Sequence, residues 1–148
     1  MEKKIAGIIP ARGGSKGVPK KNIKLLNDKP LIEYTIESSI ASKVFDKIIV
    51  STDCTQIANI CNKYPSIDVV IRPQELSMDN SKTEDALIHV CDKLIKIDNF
   101  YPDYIITLEP TSPFRSINTI KSCANVLINS KYDSVAAVVE EKSVLGRV

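Results

Sequence analysis

Short apolar runs alternate along the chain with longer stretches in which apolar residues recur every three or four positions. The runs are compact, rich in β-branched residues and bounded by proline or polar residues, which is typical of buried strands. They predict five strands, at residues 5–9, 47–51, 69–71, 104–108 and 134–139. Because each run is continuous and does not alternate with polar positions, the pattern favours a parallel sheet that is buried on both faces.

Four of the longer stretches have the spacing of an amphipathic helix. Pro30 precedes the first of them, which is consistent with the tolerance of proline at the start of a helix. In the four predicted helices the buried positions are Ile32, Ile36 and Ile40; Ile57, Ile60, Cys61 and Tyr64; Leu87, Val90, Cys91 and Leu94; and Ile117, Ile120, Ala124, Leu127 and Ile128. Asp53 with Gln56, and Ser81 with Glu84, have the spacing of capping boxes for the second and third helices.

The alternation of strands and helices predicts an α/β fold of three layers. Right-handed crossovers would place helices on both faces of a mostly parallel sheet. In such sheets, ligands bind beyond the carboxyl ends of the strands. We therefore expect four loops to meet at one edge, at residues 10–22, 51–53, 72–83 and 109–115.

The loop after the first strand, residues 10–22, concentrates glycine and positive charge. It holds three glycines, four cationic side chains, one serine and one asparagine, and no acidic residue occurs from Ile5 to Leu26. Glycines allow tight turns, and successive backbone N–H groups form an anion-binding nest. The spacing of a Walker motif or a dinucleotide fingerprint is absent. The favoured interpretation is a nucleotide-phosphate site, and a solvated basic turn is the alternative.

The bulk composition is that of an ordinary globular domain. The chain has 148 residues, 43% hydrophobic and 26% charged, which is enough for one domain with a sizeable core. The net charge is only +2, but residues 1–30 hold eight lysines and arginines against two acidic residues, and residues 31–148 hold twelve against sixteen. This distribution suits the steering of an anionic ligand to the glycine loop, and it gives no case for a nucleic-acid or membrane partner.

The N-terminal sequence and the cysteines bear on the compartment. No signal peptide is evident, and no apolar run approaches the roughly 20 residues needed to span a bilayer. The four cysteines form no Cys-x-x-Cys pair and lie in periodic segments. We expect reduced thiols and a cytoplasmic protein.

Four stretches carry a resemblance to a known family. Residues 8–22 read Ile-Ile-Pro-Ala-Arg-Gly-Gly-Ser-Lys-Gly-Val-Pro-Lys-Lys-Asn, which resembles the opening signature of sugar-acid cytidylyltransferases of the acylneuraminate type. Residues 50–53 (Val-Ser-Thr-Asp), 71–76 (Ile-Arg-Pro-Gln-Glu-Leu) with Asp79, and 108–115 (Leu-Glu-Pro-Thr-Ser-Pro-Phe-Arg) follow in the order of that family. The resemblance implies a nucleotide-diphospho-sugar transferase fold, which is Rossmann-like and of the glycosyltransferase-A kind.

The resemblance also implies a reaction. CTP and a nonulosonic acid such as N-acetylneuraminate would give the CMP-sugar and pyrophosphate, through attack of the anomeric hydroxyl on the α-phosphorus with the assistance of Mg²⁺. Other acceptors of CMP within this resemblance are legionaminate, pseudaminate and 3-deoxy-octulosonate. A non-catalytic CTP-binding or sensor domain is the alternative from a different functional class.

Individual residues match functional positions of the family. Arg12, Lys16 and Lys21 match the catalytic positions that contact the triphosphate, where they would neutralise the phosphoryl oxygens and the leaving pyrophosphate. Asn22, Arg72 and Thr83 match positions for cytosine and ribose recognition. The implied nucleotide-binding set is Ala11, Arg12, Gly13, Gly14, Ser15, Lys16, Asn22, Arg72 and Thr83. The implied substrate-binding set is Glu109, Pro110, Thr111 and Ser112.

Two features depart from the family pattern. Glu109 stands where many sialic-acid members have Gln, which leaves the identity of the nonulosonic acid open. Family members are also longer, and a later Asp-x-Asp element that is absent from this sequence carries their metal-binding carboxylates. We therefore expect residues 1–148 to be the nucleotide-binding domain without the later metal and dimerisation segments of a homodimeric enzyme. Such a chain would bind CTP weakly, turn over poorly by itself and hold no protein ligand for the metal.

Structural roles compete with these functional ones at several positions. Residues 109–113 contain two prolines and must form a loop. A rigid connector with a helix cap at Ser112 or Ser116 would explain these residues as well as substrate binding does. The capping box accounts for Asp53 without a ligand contact. Local hydrogen bonds in the loop at residues 72–83 are the favoured role of Asp79.

Overall fold

A parallel four-stranded sheet forms the centre of the protein, and a computed structural model describes residues 3–15 and 17–138. The strands are β1 (Ile5–Pro10), β2 (Leu25–Leu26), β3 (Lys29–Pro30), β4 (Lys47–Thr52), β5 (Ile67–Ile71) and β6 (Tyr104–Thr107). The large sheet has the order β5-β4-β1-β6 with every neighbouring pair parallel, and β2 and β3 form a short antiparallel hairpin. The prediction of a mostly parallel sheet is confirmed.

Helices cover both faces of this sheet, as the sequence predicts. They are α1 (Leu31–Ser42), α2 (Thr55–Cys61), α3 (Thr83–Lys96) and α4 (Ile117–Asn129). Ile9 of β1 belongs to the core cluster that contains buried residues of α1, α2 and α4, whereas Ile8 belongs to the cluster with Val90 and Leu94 of α3. Successive residues of β1 thus point to opposite apolar layers, which explains its continuous apolar pattern. None of the helices in the described ranges is long and apolar enough to cross a bilayer.

The strand order creates a switch point beside β1. From β1 the sheet extends through β4 to β5 on one side, and β6 is added on the other side. Ile8 is paired with Ile49 of β4 and with Thr107 of β6. In open parallel sheets, ligands bind outside the carboxyl ends of the strands at such a point. The loops that follow β1 and β6 flank it.

The predicted strand at residues 134–139 is wrong for the part of it that the structure describes. Residues 134–138 form no strand, and Val139 lies outside the described residues. Residues 133–137 instead line a cavity beside β6 and α4. A strand exists only where its backbone pairs with a neighbour, and an apolar run does not specify that neighbour.

The third and fourth helices begin at different kinds of residue. The predicted capping box of α3 is wrong, because its N-cap is Lys82 without a side-chain cap, and Ser81 Oγ donates to the Glu75 carbonyl oxygen at 2.7 Å. At α4, Ser116 accepts a hydrogen bond from the Thr119 N–H at 3.0 Å. This cap was one of the structural roles that the sequence left open for the loop before α4.

Candidate functional site

A cavity of about 350 Å³ opens at the carboxyl ends of the central strands. It lies where the loop after β1, the loop after β5 and the loop after β6 come together. Nine of the residues that the sequence predicts for a site line it: Arg12, Ser15, Lys21, Asn22, Arg72, Thr83, Glu109, Pro110 and Thr111. Residues separated by up to a hundred positions in the sequence therefore share one cavity, as the parallel topology requires.

The other predicted residues are placed differently. Ala11 is fully buried in the core, and its N–H donates to the Ser51 carbonyl oxygen at 2.9 Å. Gly13 and Gly14 do not line the cavity, and Ser112 lines the neighbouring cavity beside β6. Lys16 lies outside the described residues, so its contact with a triphosphate stays a prediction.

Side chains from two other segments hold the first turn of the glycine loop. The Asn22 Nδ2 donates to the Arg12 carbonyl oxygen at 3.0 Å, and the Gly13 N–H donates to Asp53 Oδ1 at 2.8 Å. The capping box predicted at Asp53 is therefore wrong. The N-cap of α2 is Cys54, which forms no side-chain cap, and the Asp53 carboxylate turns to the loop after β1.

Arg12 links the glycine loop to the loop that follows β5. Its Nη1 donates to the Met78 carbonyl oxygen at 3.3 Å and to Asp79 Oδ1 at 3.2 Å. The side chain is 35% exposed, so this ion pair is partly solvated and worth about 0–1 kcal/mol. Within the described residues the Nε and Nη2 groups of Arg12 make no hydrogen bond, so they are available to an anion in the cavity.

Arg72 is a buried cation that connects β4 with the loop after β5. Its Nε donates to Ser51 Oγ at 3.2 Å, its Nη2 to the Ser51 carbonyl oxygen at 3.0 Å, and its Nη1 to the Leu76 carbonyl oxygen at 3.4 Å. Burial lowers the pKa of Arg72, while the carboxylates of Asp53 and Glu109 raise it. The guanidinium has five N–H groups, so one N–H on each Nη is left for a ligand.

Ser51 lies in one of the four loops that the sequence places at this edge, but the sequence assigns it no role in the site. It is fully buried at the end of β4 and accepts two hydrogen bonds from Arg72. The available signal was its place in the stretch Val50-Ser-Thr-Asp53, which matches the family pattern. The strand pattern alone identifies Ser51 only as a buried polar residue.

Glu109 adds a carboxyl group to the otherwise cationic cavity. Burial raises the pKa of Glu109, and the charges of Arg115, Lys21 and Arg72 lower it in part. The Nη2 of Arg115 also donates to the Glu109 backbone oxygen at 3.0 Å. The cavity therefore offers cations on the side of the glycine loop and a carboxyl group on the side of the loop after β6.

The residues that the structure describes do not fit a metal centre held by the protein. Over residues 3–15 and 17–138, no three His, Cys, Asp or Glu side chains come together in a group that could hold a metal ion. Near the cavity, Asp79 is paired with Arg12, and Asp53 accepts from a backbone N–H. Divalent cations such as Mg²⁺ need several oxygen ligands, and these described residues do not supply such a set.

Comparison with known proteins gives the site a family context. A family model described as "Cytidylyltransferase" matches residues 6–145. The chain is 40% identical over 141 residues to N-acylneuraminate cytidylyltransferase of Escherichia coli O18:K1:H7, covering 93% of this chain and 32% of that protein. It is 38% identical over 123 residues to CMP-N,N'-diacetyllegionaminic acid synthase of Legionella pneumophila, covering 83% and 53%. It is 34% identical over 133 residues to pseudaminic acid cytidylyltransferase of Campylobacter jejuni, covering 90% and 57%.

Solved structures show the same fold at low sequence identity. CMP:2-keto-3-deoxy-manno-octonic acid synthetase complexed with CTP has a TM-score of 0.71 and 19% identity, covering 86% of this chain and 48% of that chain. A 4-diphosphocytidyl-2C-methyl-D-erythritol synthase has a TM-score of 0.70 and 12% identity, covering 88% and 56%. The predicted nucleotidyltransferase fold is confirmed. The chain spans about a third of the length of the acylneuraminate relative and just over half of the length of the legionaminic and pseudaminic acid relatives.

Proposed function

This chain belongs to the cytidylyltransferase family, and we propose that it carries the nucleotide-binding part of an enzyme that transfers CMP from CTP to a nonulosonic acid. The observation that carries the proposal is one cavity in which Arg12, Lys21 and Arg72 meet Glu109 and Thr111 at the switch point of the sheet. The names of its relatives, which make CMP-sugars of acylneuraminic, legionaminic and pseudaminic acid, support the same reaction class.

The cations on the glycine loop would bind the triphosphate. Phosphoryl transfer depends chiefly on the positioning of the reactants and on electrostatic stabilisation of the phosphoryl oxygens. Arg12, Lys21 and Ser15 line the cavity, and the two cations would neutralise the triphosphate. Lys16 would have the same role by its position in the loop sequence. The anomeric oxygen of the sugar would bond to the α-phosphorus. The bond between the α-phosphorus and the oxygen that bridges it to the β-phosphorus would break. Pyrophosphate then leaves with the electron pair, and the hydroxyl proton passes to solvent.

Three residues of the same cavity, Arg72, Asn22 and Thr83, would recognise the nucleoside in this proposal. The two N–H groups that Arg72 keeps free of Ser51 and Leu76 suit the O2 and N3 acceptors of cytosine. Thr83, the first residue of α3, and Asn22, in a 3₁₀ turn, line the same cavity and would contact the ribose.

The sugar acid would lie against the loop after β6. Glu109, Pro110 and Thr111 line the cavity, and Ser112 lies just beyond it. An ionised Glu109 repels the carboxylate of the sugar, so it would accept hydrogen bonds from hydroxyl or amide groups of the sugar. The proposal also includes three properties of the full-length enzyme. Mg²⁺ would be delivered with CTP, the enzyme would be a homodimer, and its location would be the cytoplasm.

Pyrophosphate release tests this function. The protein is incubated with CTP, Mg²⁺ and, separately, N-acetylneuraminate, legionaminate, pseudaminate and 3-deoxy-octulosonate, with UTP as the matched control nucleotide. We expect CTP to bind and slow release to occur only when a nonulosonic acid is present. CTP binding without release for any acid would favour the sensor alternative, and failure of the folded protein to bind CTP would contradict the proposal.

A further inference from the structure

The peptide unit that joins Arg12 to Gly13 is held at both of its polar groups. Its carbonyl oxygen accepts from Asn22 Nδ2 at 3.0 Å, and its N–H donates to Asp53 Oδ1 at 2.8 Å. The two groups belong to one rigid plane and point in opposite directions. Two hydrogen bonds from opposite sides therefore fix the rotation of this plane, which sets the direction in which the loop leaves β1.

Both partners of this peptide are themselves anchored. Asn22 is 6% exposed and lies in the 3₁₀ turn Lys21–Ile23. Asp53 directly follows β4, where the Ser51 carbonyl oxygen accepts from the Ala11 N–H at 2.9 Å. The Asp53 contact thus extends the β1–β4 pairing by one hydrogen bond, made by a side chain and not by the backbone. We call the two hydrogen bonds, from Asn22 and to Asp53, the peptide clamp.

Close packing against Cys54 also restricts the position of Gly13. A Cβ added to Gly13 would lie 2.7 Å from Cys54 Cβ, which is too close for any larger residue without a shift of the backbone. One residue later the situation reverses, because a Cβ added to Gly14 would have nothing within 4 Å. The start of the loop is therefore closely packed at Gly13, whereas Gly14 has open space around its Cα. The next residue, Ser15, lines the cavity.

The charge of Asp53 is unexpected beside a site for a polyphosphate. A carboxylate near phosphate oxygens repels them, so it weakens anion binding unless it contributes something else. What Asp53 contributes is the acceptor for the Gly13 N–H, which holds the Arg12–Gly13 peptide on the side opposite to Asn22. A loop that is already ordered loses less conformational freedom when a ligand binds.

We propose that Asp53 is a positioning residue of the anion site. Together with Asn22 it fixes the orientation of the Arg12–Gly13 peptide. This sets the position of the Arg12 Cα, from which the guanidinium extends, and the direction of the following backbone N–H groups. The proposal rests on the proposed function, because it takes a triphosphate as the anion. It requires the oxygen acceptor of Asp53 and does not require its negative charge.

Three variants separate the acceptor from the charge. Asp53→Ala removes the acceptor, Asp53→Asn keeps an acceptor and removes the charge, and Asp92→Ala is the control, an exposed carboxylate on α3 that pairs with Lys96. We expect Asp53→Ala to weaken CTP binding by about tenfold and to speed hydrogen exchange of the Gly13 amide by at least about tenfold. Asp53→Asn should restore both values, and Asp92→Ala should change neither. Isothermal titration calorimetry and ¹⁵N NMR supply the two readouts, with circular dichroism to verify folding.

Each other result counts against the proposal. Unchanged Gly13 exchange in Asp53→Ala would show that the clamp does not hold the peptide. Faster exchange with unchanged CTP affinity would make the clamp structural only, and a loss of affinity in Asp53→Asn as large as in Asp53→Ala would assign the effect to charge. If the unmodified protein does not bind CTP, the proposed function fails, and the Gly13 exchange rates still test the clamp.

Discussion

Replacing Arg12 with alanine is expected to weaken CTP binding by about 10- to 100-fold. The guanidinium lines the cavity and, among the described residues, engages protein acceptors only through Nη1. Charge-assisted hydrogen bonds to phosphate are worth about 1.5–3 kcal/mol, and each 1.4 kcal/mol is about tenfold in affinity. Stability should change little, because the partly solvated pair with Asp79 is worth about 0–1 kcal/mol. Titration calorimetry with CTP measures the effect.

Two further variants control for charge. Lys24→Ala removes an exposed cation close to the same loop that does not line the cavity, so it should leave CTP affinity nearly unchanged. Arg12→Lys keeps the charge but loses the planar fork, so its affinity should lie between those of the unmodified protein and Arg12→Ala. Equal affinities for Arg12→Ala and Lys24→Ala would contradict the placement of the phosphates.

Replacing Arg72 with lysine is expected to have two large effects. The free energy of unfolding should fall by about 2–3 kcal/mol, because one ammonium group cannot reach the acceptors on Ser51 and Leu76 together, and each lost hydrogen bond costs about 1 kcal/mol. The preference for CTP over UTP should be lost, because the remaining fork of N–H groups is removed. Urea denaturation measures the first effect, and the two nucleotide affinities measure the second.

The structural and the recognition roles of Arg72 can be separated. Ser51→Ala removes the acceptor of the Nε group and keeps the backbone carbonyl that binds Nη2, so it should destabilise the fold by only about 1 kcal/mol. If Arg72→Lys lowers stability but leaves the CTP preference intact, Arg72 is a structural link and the base is read elsewhere. If neither quantity changes, the hydrogen bonds of Arg72 do not contribute as described.

The sheet could be predicted from the sequence because its central strands are buried on both faces. Residues such as Ile8 and Ile9 contact different layers, so the apolar run is unbroken and its meaning is unambiguous. The apolar run at residues 134–139 has the same pattern, yet residues 134–138 form no strand, since a strand needs a pairing neighbour that local composition does not identify. The capping boxes predicted at Asp53 and Ser81 were also wrong, because their spacing does not exclude another partner. Ser81 Oγ donates to the Glu75 carbonyl oxygen in its own loop. The spacing of a capping box is local, whereas the actual partner of Asp53 lies 40 residues away in sequence.

The membership of the cavity was largely predictable, but its internal contacts were not. Parallel topology brings the loops after β1, β5 and β6 to one edge, which is why nine of the predicted residues line the same cavity. The contacts of Asp53 with Gly13 and of Arg72 with Ser51 depend on how far each loop reaches over its neighbour. Sequence spacing carries no information on that distance, so these contacts emerged only from the structure.

Titration of CTP into the ¹⁵N-labelled protein is the most direct test that the cavity beyond β1 and β6 is a nucleotide site. We expect saturable shifts with one CTP per chain, concentrated in the amide signals of the non-proline residues in 11–22, at Thr83 and in 109–112. UTP should shift the loop after β1 at higher concentrations and perturb Thr83 less. Absence of saturable shifts with the folded protein at millimolar CTP, or shifts confined to the opposite edge of the sheet, would contradict this assignment.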